Sequence, residues 1–257
     1  MNEVRTIRKD EAEEFLGLLC GVFRLDVSRA RTVFFSEPLF DLARKWALYV
    51  DGTMASILTT SPLLFGWGKA IGIAGVATAP PHLGRGLATE LLTRVLEQAE
   101  GDGEGPAMLF AHAEGLYRRL GFEAVDEVVR GELLCDGTAQ SSQSLSTTEV
   151  RELYGHWSER SLARLVRDDT AQTRWSWNLR HCERLLGGYA CIEPGQVREA
   201  WLPEASEKWP FAHGTEWVGM TAVARDDRVP LHRARRELIV MTRNFPLPPQ
   251  MFMTDQF

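Results

Sequence analysis

The run Gly75-Val76-Ala77-Thr78-Ala79-Pro80-Pro81-His82-Leu83-Gly84-Arg85-Gly86-Leu87-Ala88 joins an apolar segment to an amphipathic one, and the two glycines near its end decide how the fold is read. Upstream, the apolar stretch Ala70 to Thr78 predicts a strand. Downstream, Leu87, Leu91, Leu92, Val95, Leu96 and Ala99 recur at helical spacing, which predicts a helix starting near Gly86 with that face packed on a sheet. The first turn of a helix leaves backbone N–H groups unpaired at the positive end of its dipole, so a phosphate can sit there when the chain comes close enough. Gly84 and Gly86 permit that approach, and the amides from Gly84 to Ala88 are the expected diphosphate grip. A loop that merely turns would carry the same glycines. No Gly-Lys-Ser/Thr follows, which sets aside a nucleoside-triphosphate loop, and no third Gly completes a dinucleotide fingerprint.

Working outward, residues 9–24 predict an amphipathic helix with Phe15, Leu19, Val22 and Phe23 on one side, and an aromatic-rich helix follows from about Ser28 to Phe40. Trp46 to Val50 reads as a strand, Asp51-Gly52 as a hairpin turn and Thr53 to Thr60 as the returning strand, with Gly66-Trp67-Gly68 marking the next reversal. Gly101 to Gly105 breaks the central helix. Ala107 to Ala113 is then expected as a strand, Glu114 to Leu120 as a short helix and Phe122 to Cys135 as a long final strand. Asp136 to Ser146 is small and polar, and reads as a linker. Ser146 with Glu149 forms a capping box opening a helix to about Leu165, and Thr170 to Leu186 reads as another. A hairpin from Gly188 to Leu202 through Pro194-Gly195, strands at Val218–Ala224 and Glu237–Arg243, and a Pro-rich tail from Pro246 to Phe257 complete the pass. The expected division is residues 1–135, a linker 136–146, and a smaller α+β unit 147–257.

A formal net charge of −6 gives no electrostatic footprint for nucleic acid and suits a cationic amine as partner. Cys20, Cys135, Cys182 and Cys191 are scattered without metal-site spacing, so reduced core thiols and no bound metal are expected. The N-terminus lacks a leader pattern and no stretch approaches a membrane span, which predicts a cytoplasmic protein without a membrane partner. A homo-oligomer stays open.

The strand end Gly75 to Pro80 and the loop Leu83 to Ala88 resemble the signature of the GNAT acetyltransferase superfamily, Gln/Arg-x-x-Gly-x-Gly/Ala after a strand ending in Val-x-Pro or Val-x-Thr-x-Pro. The departure is placed at Leu83, taken as the position that usually carries Gln or Arg. The resemblance implies an α/β (α+β) fold with a mixed, mostly antiparallel central sheet, followed by a smaller, degenerate GNAT-like domain. It implies acetyl-coenzyme A as co-substrate, with main-chain contacts from Val76, Ala77 and Thr78 to the pantetheine arm. An N–H near Val76 would polarise the thioester carbonyl, and Leu83, Gly84, Arg85, Gly86, Leu87 and Ala88 would surround the diphosphate.

An amine attacking a thioester expels a thiolate, which leaves more easily when a proton donor stands beside the sulfur. Leu116-Tyr117-Arg118-Arg119-Leu120-Gly121-Phe122 is similar to the superfamily's second motif, in which the tyrosine is the general acid, so Tyr117 takes that role. With Glu114, this run resembles the two-GNAT-domain portion of the enhanced-intracellular-survival type. In that type the chain's terminal carboxylate returns to the first domain's site as the base, which implies the same for Phe257; desolvation in a cleft would raise its pKa toward usefulness. A core tyrosine and a frayed tail are the structural alternatives.

His112 and His82 stand near the expected site, and as lone histidines read equally as structural or solvated groups. Trp175, Trp177, Trp201, Trp209 and Trp217 read as core before an aromatic acceptor pocket. Asp26, Glu37 and Asp41 are acceptor-site candidates, because the first two helices border the acceptor channel in GNAT folds. The function read from this is N-acetyl transfer to a small primary amine. A non-catalytic acyl-coenzyme A sensor and an acetyltransferase for protein lysines or N-termini stand as alternatives, while the acidic charge argues against an aminoacyl-RNA-dependent transferase.

Overall fold

The computed structural model describes residues 2–37, 40–137, 143–177 and 181–257. The first half contains β1 (Asn2–Thr6), α1 (Ala12–Phe23), α2 (Val27–Ser36), β2 (Lys45–Val50), β3 (Thr53–Phe65), β4 (Gly68–Thr78), α3 (Leu87–Gly101), β5 (Ala107–Ala111), α4 (Gly115–Arg118) and β6 (Glu123–Leu133). The second half contains α5 (Thr147–Ser158), α6 (Asp169–Trp177), β7 (Cys182–Leu185), β8 (Gly188–Glu193), β9 (Gln196–Trp201), β10 (Glu216–Met220), α7 (Thr221–Asp226) and β11 (Leu231–Arg243). All eleven strands join one sheet in the order β1-β2-β3-β4-β5-β11-β6-β10-β9-β8-β7. The pairing is antiparallel except at β4–β5 and β9–β10. Strand β11 runs between β5 and β6 and bonds to both, so a strand from the second half is built into the sheet of the first.

Local chemistry accounts for most of these elements. Asp51 and Gly52 both take positive φ (49° and 81°), the geometry that lets a two-residue turn follow the twist of β2 and β3. The six residues of the apolar stripe of α3 are all buried, and each of its leucines gains about 1.5–3 kcal/mol by leaving water. Ser146 Oγ accepts from the Glu149 N–H at 3.3 Å while the Glu149 carboxylate accepts from the Ser146 N–H at 2.9 Å, the reciprocal cap expected for α5.

The structure differs from the sequence reading in several places. Strand β1, which the pattern did not suggest, pairs with β2. On α1 the buried residues are Ala12, Phe15, Leu16 and Cys20, while Val22 and Phe23 are exposed because the helix ends at Arg24 in a left-handed conformation. Helix α5 stops at Ser158. Residues 182–185, expected at the end of a helix, form β7, and 221–224, expected as strand, turn into α7. The linker lies partly outside the described residues, at 138–142. The expectation of four reduced thiols is also corrected. Leu186-Gly187 makes a tight turn with positive φ that sets Cys182 opposite Cys191, and the two form a disulfide, while Cys20 and Cys135 are free and buried. Nine residues apart in sequence, the pair gives no motif; only the hairpin register brings it together. Among the described residues no helix is long and apolar enough to cross a membrane.

The larger core crosses from one half to the other: Phe65, Met108 and Val128 pack with Trp157, Trp175, Trp209 and Trp217. Within it lies a charged cluster. Arg167, whose side chain is 1% exposed, donates to both oxygens of Glu199 (2.9 and 2.7 Å) and of Asp255 (2.7 and 2.8 Å). Glu199 also accepts from Tyr189 Oη at 2.6 Å, from Trp175 Nε1 at 2.8 Å and from the Thr254 hydroxyl. Burial alone would raise the Glu199 carboxyl, but Arg167 and these hydrogen bonds hold it below the usual carboxylate range. The cluster ties the tail at Thr254 and Asp255 to α6, β8 and β9. Arg167→Met should leave two buried carboxylates uncompensated and lower unfolding free energy by about 3–5 kcal/mol. Urea melts within about 0.5 kcal/mol of wild type would show that the cluster does not anchor the tail.

Candidate functional site

Strands β4 and β5 are hydrogen-bonded over a short distance, with Ile71 opposite Ala107, Gly72 opposite Met108 and Ile73 opposite Leu109. Both strands continue past that point without pairing, while β4 stays bonded to β3 as far as Thr78 opposite Ser56. From Ala74 to Thr78 the β5-facing N–H and C=O groups of β4 therefore form a sheet edge inside a notch. An extended ligand with amides of its own can pair there as an added strand would. The register between β3 and β4 shifts between Ile57 and Thr59, opposite Ala74 to Ala77, and Gly75 takes φ 62°. Such a bulge bends the strand and re-aims its backbone groups, here at the mouth of the notch. Val76 is half-buried among the side chains packed on α3, and the Thr78 and Ser56 hydroxyls lie 3.0 Å apart.

Beyond β4, Pro80–His82 makes one tight turn, and Gly84 (φ 74°) and Gly86 (φ 77°) deliver the chain to α3. Those conformations strain any residue with a Cβ, yet no atom lies within 4 Å of where either Cβ would be. Open space thus faces the loop. No side chain caps the helix, so its first-turn N–H groups are available to an anion. Leu87 is buried and pins this end of α3 to the core. Ala88 is half-buried, and Arg85 reaches back to His82, with Nη1 2.8 Å from Nδ1. Leu83 is 63% exposed and outside the core. Counting three residues back from Gly84 puts Pro81, not Leu83, at the Gln/Arg position of the signature, so the departure belongs to a residue with no polar side chain and no N–H.

Tyr117 sits on the single turn of α4, directly after β5. Its ring meets Phe122 edge-on at 6.1 Å between centroids and packs against the same cluster as Val76, Leu87 and Ile73. Burial pushes its phenol above the ordinary value, so it holds its proton across the neutral range. His112 is exposed in the bend before it.

The opposite face of the sheet carries the end of the chain. A Cβ on Gly72 would lie 2.6 Å from ring atoms of Phe257, and the same ring is 5.6 Å from that of Phe110. Phe257 therefore covers the rungs just before β4 and β5 part, and only glycine at 72 leaves it room. Two adjoining clefts of about 660 and 520 Å³ share Phe257, Val33, Glu37, Lys45 and Thr59 in their walls. The first also reaches Ala74 and Gly75 at the notch; the second extends to Arg174 and Trp177 of α6.

The structure brings Asp26, Glu37 and Asp41 to these walls and commits each to a partner. Asp26 accepts from the Arg29 N–H at 2.7 Å, Asp41 from the Ala43 N–H at 2.8 Å, and Glu37 pairs with Arg174 at 3.1 Å. Trp175, Trp201, Trp209 and Trp217 are buried in the core, whereas Trp177 faces a cleft. Sequence reading missed Lys45. Its ammonium lies 5.5 and 5.7 Å from the ring centroids of Phe34 and Phe40, and burial lowers its pKa below the ordinary lysine value. A charge opening an otherwise apolar strand was the available signal.

Residues 3–125 match the family model described as an acetyltransferase (GNAT) domain. No curated protein sequence matches the chain. Among solved structures, a GCN5-related N-acetyltransferase from Kribbella flavida superimposes with a TM-score of 0.73 at 18% identity, covering 94% of this chain and 70% of its own. A putative acetyltransferase from Pyrococcus horikoshii gives 0.69 at 13% identity, covering 100% and 96%. Eis1 from Mycobacterium abscessus gives 0.60 at 15% identity, covering 93% and 73%. These structures share the fold over nearly the whole chain, and residues 3–125 carry the match to the GNAT acetyltransferase domain.

Proposed function

We propose that the protein moves an acetyl group from acetyl-coenzyme A to the primary amine of a small molecule, by direct attack with both substrates bound. The observation that carries this reading is the notch where β4 and β5 part after Ile73 and Leu109. It links the face holding the open glycine loop and Tyr117 to the face holding the two clefts. The coenzyme fits the residues present. Amides from Gly84 to Ala88 receive the diphosphate, and the bulged edge from Val76 to Thr78 pairs with the pantetheine amides. An N–H at the bulge near Val76 polarises the thioester carbonyl. Tyr117 gives its proton to the departing sulfur, and the α-carboxylate of Phe257 takes the proton that the amine must lose. Clefts walled by α1, α2, α6 and the tail suit a small acceptor better than a lysine on a protein surface, which would need an open shelf.

Tyr117→Phe should lower turnover by about 10²-fold while coenzyme affinity stays near wild type. Thiol release at the wild-type rate would remove Tyr117 from the mechanism. Gly86→Glu puts a strained, negatively charged residue at the diphosphate seat, and calorimetric titration should then detect no coenzyme binding; retained affinity would place the diphosphate elsewhere. Removal of Gln256 and Phe257, which spares Asp255 and its buried partners, should reduce turnover with every amine tested. Full activity in that truncation would leave the tail without a part in proton transfer.

A further inference from the structure

Lys45 is a buried cation, 9% exposed, in the wall of both clefts. Its ammonium makes no hydrogen bond and no ion pair among the described residues. A largely desolvated ammonium set over aromatic rings without a hydrogen-bond partner is expensive to keep, because cation–π attraction returns a fraction of the lost hydration. The side-chain carboxylates that share its walls are engaged elsewhere, Asp26 and Asp41 by backbone N–H groups and Glu37 by Arg174, and the α-carboxylate of Phe257, which ends the tail in the same walls, is the base of the proposed transfer. Burial lowers its pKa, with Glu37 pulling it back up, Arg174 lowering it and Asp41 raising it to smaller extents. A group held this way is complete only with an anion beside it.

Its position relative to the notch is fixed by the sheet. Lys45 stands opposite Thr59, and Thr59 opposite Ala74, so the three residues form one cross-strand row on the face that carries the clefts. With strands about 4.8 Å apart, Lys45 and Ala74 are separated by roughly 10 Å of backbone, and the lysine side chain bridges part of that distance. An acceptor whose nitrogen reaches the notch beside Ala74 thus has its far end near the Lys45 ammonium. Leu16, Leu19, Val33 and Phe34 line the space between with apolar surface.

We infer that the acceptor is an amino acid, an amine bearing a carboxylate that Lys45 receives, with a short apolar segment between the two groups. This deepens the acetyl-transfer reading and rests on it. A single ammonium matches a monoanion better than a phosphoryl dianion, which would demand a second donor of comparable burial. Lys45 is accordingly a specificity-determining residue that touches the acceptor and takes no proton from it.

The test is calorimetric titration with matched ligands, 4-aminobutyrate against butylamine and 5-aminopentanoate against pentylamine, with phosphoethanolamine as the phosphoryl arm, run beside thiol release with the same compounds. The carboxylate member of at least one pair should bind the wild-type protein about 10²-fold more tightly than its neutral partner. In Lys45→Met that preference should shrink to within about threefold, and Lys45→Arg should restore part of it. Circular dichroism and a wild-type affinity for coenzyme show that each variant is folded. Neutral amines binding as tightly as their carboxylate partners, a preference that survives Lys45→Met, or tighter binding of phosphoethanolamine would each overturn the inference. Lys45-dependent carboxylate binding without thiol release from any amine would instead strike the transfer reading and leave the carboxylate site standing.

Discussion

The separation of β4 from β5 is the constraint on which the functional architecture rests. Two parallel neighbours ordinarily continue to bond as long as both strands last, because an unpaired N–H or C=O away from water is destabilising. Here two features end the pairing early. Gly75 at positive φ lies in the bulge of the β3–β4 pairing, which bends β4, and β5 is held on its other side by β11 along its full length, from Ala107 to Ala111. Strand β5 cannot follow β4, and the gap persists as a slot lined by backbone groups. The slot offers those hydrogen bonds to an extended, amide-bearing ligand, for which backbone groups matter more than any side chain along it.

That dependence on β11 explains what the second half contributes. It lacks a glycine loop of the kind at Gly84 and Gly86, yet it supplies the strand that fixes β5 and the tail that ends on Gly72. The tail's course is set by Arg167, Glu199 and Asp255, a buried cluster in which one guanidinium serves two carboxylates. Isolated buried ion pairs add little stability against an apolar alternative, but removing one member is severe. Such a cluster acts as a position lock, because Asp255 has one place where its charge is met. Two residues later Phe257 reaches the rungs beside the slot. Packing in the second half thereby determines the shape of a cleft in the first.

How much of this was legible in the sequence follows from the range of the interactions. The amphipathic stripe of α3, the Asp51-Gly52 turn, the Ser146–Glu149 cap and the glycine loop are local patterns, and each was read from neighbouring residues. The insertion of β11 was not legible, since nothing in Leu231 to Arg243 marks which strands it will separate. The disulfide was hidden for the same reason: Cys182 and Cys191 become a pair only through the register of a hairpin whose first strand had been read as helix. Tyr117 and the loop could be singled out because both lie in compact motifs. Phe34, Phe40 and Lys45 lie within twelve residues but across the change from helix to strand, and Arg174 of α6 joins them only in the folded chain.

The two faces of the sheet pose different electrostatic problems and solve them differently. On the α3 face the expected charge is a diphosphate, met by backbone dipoles that need no side-chain cation and leave Arg85 exposed. On the cleft face the protein instead buries a lysine at the start of β2 and surrounds it with phenylalanines, a choice that lowers the stability of the empty fold. Exposing Lys45 would relieve that penalty, and replacing it with methionine would fill the same volume without any penalty at all. A stability-driven sequence would take either course. A desolvated ammonium one cross-strand row from the slot is what the proposed carboxylate site requires, and the Trp-rich core on the far side of β11 offsets its destabilisation.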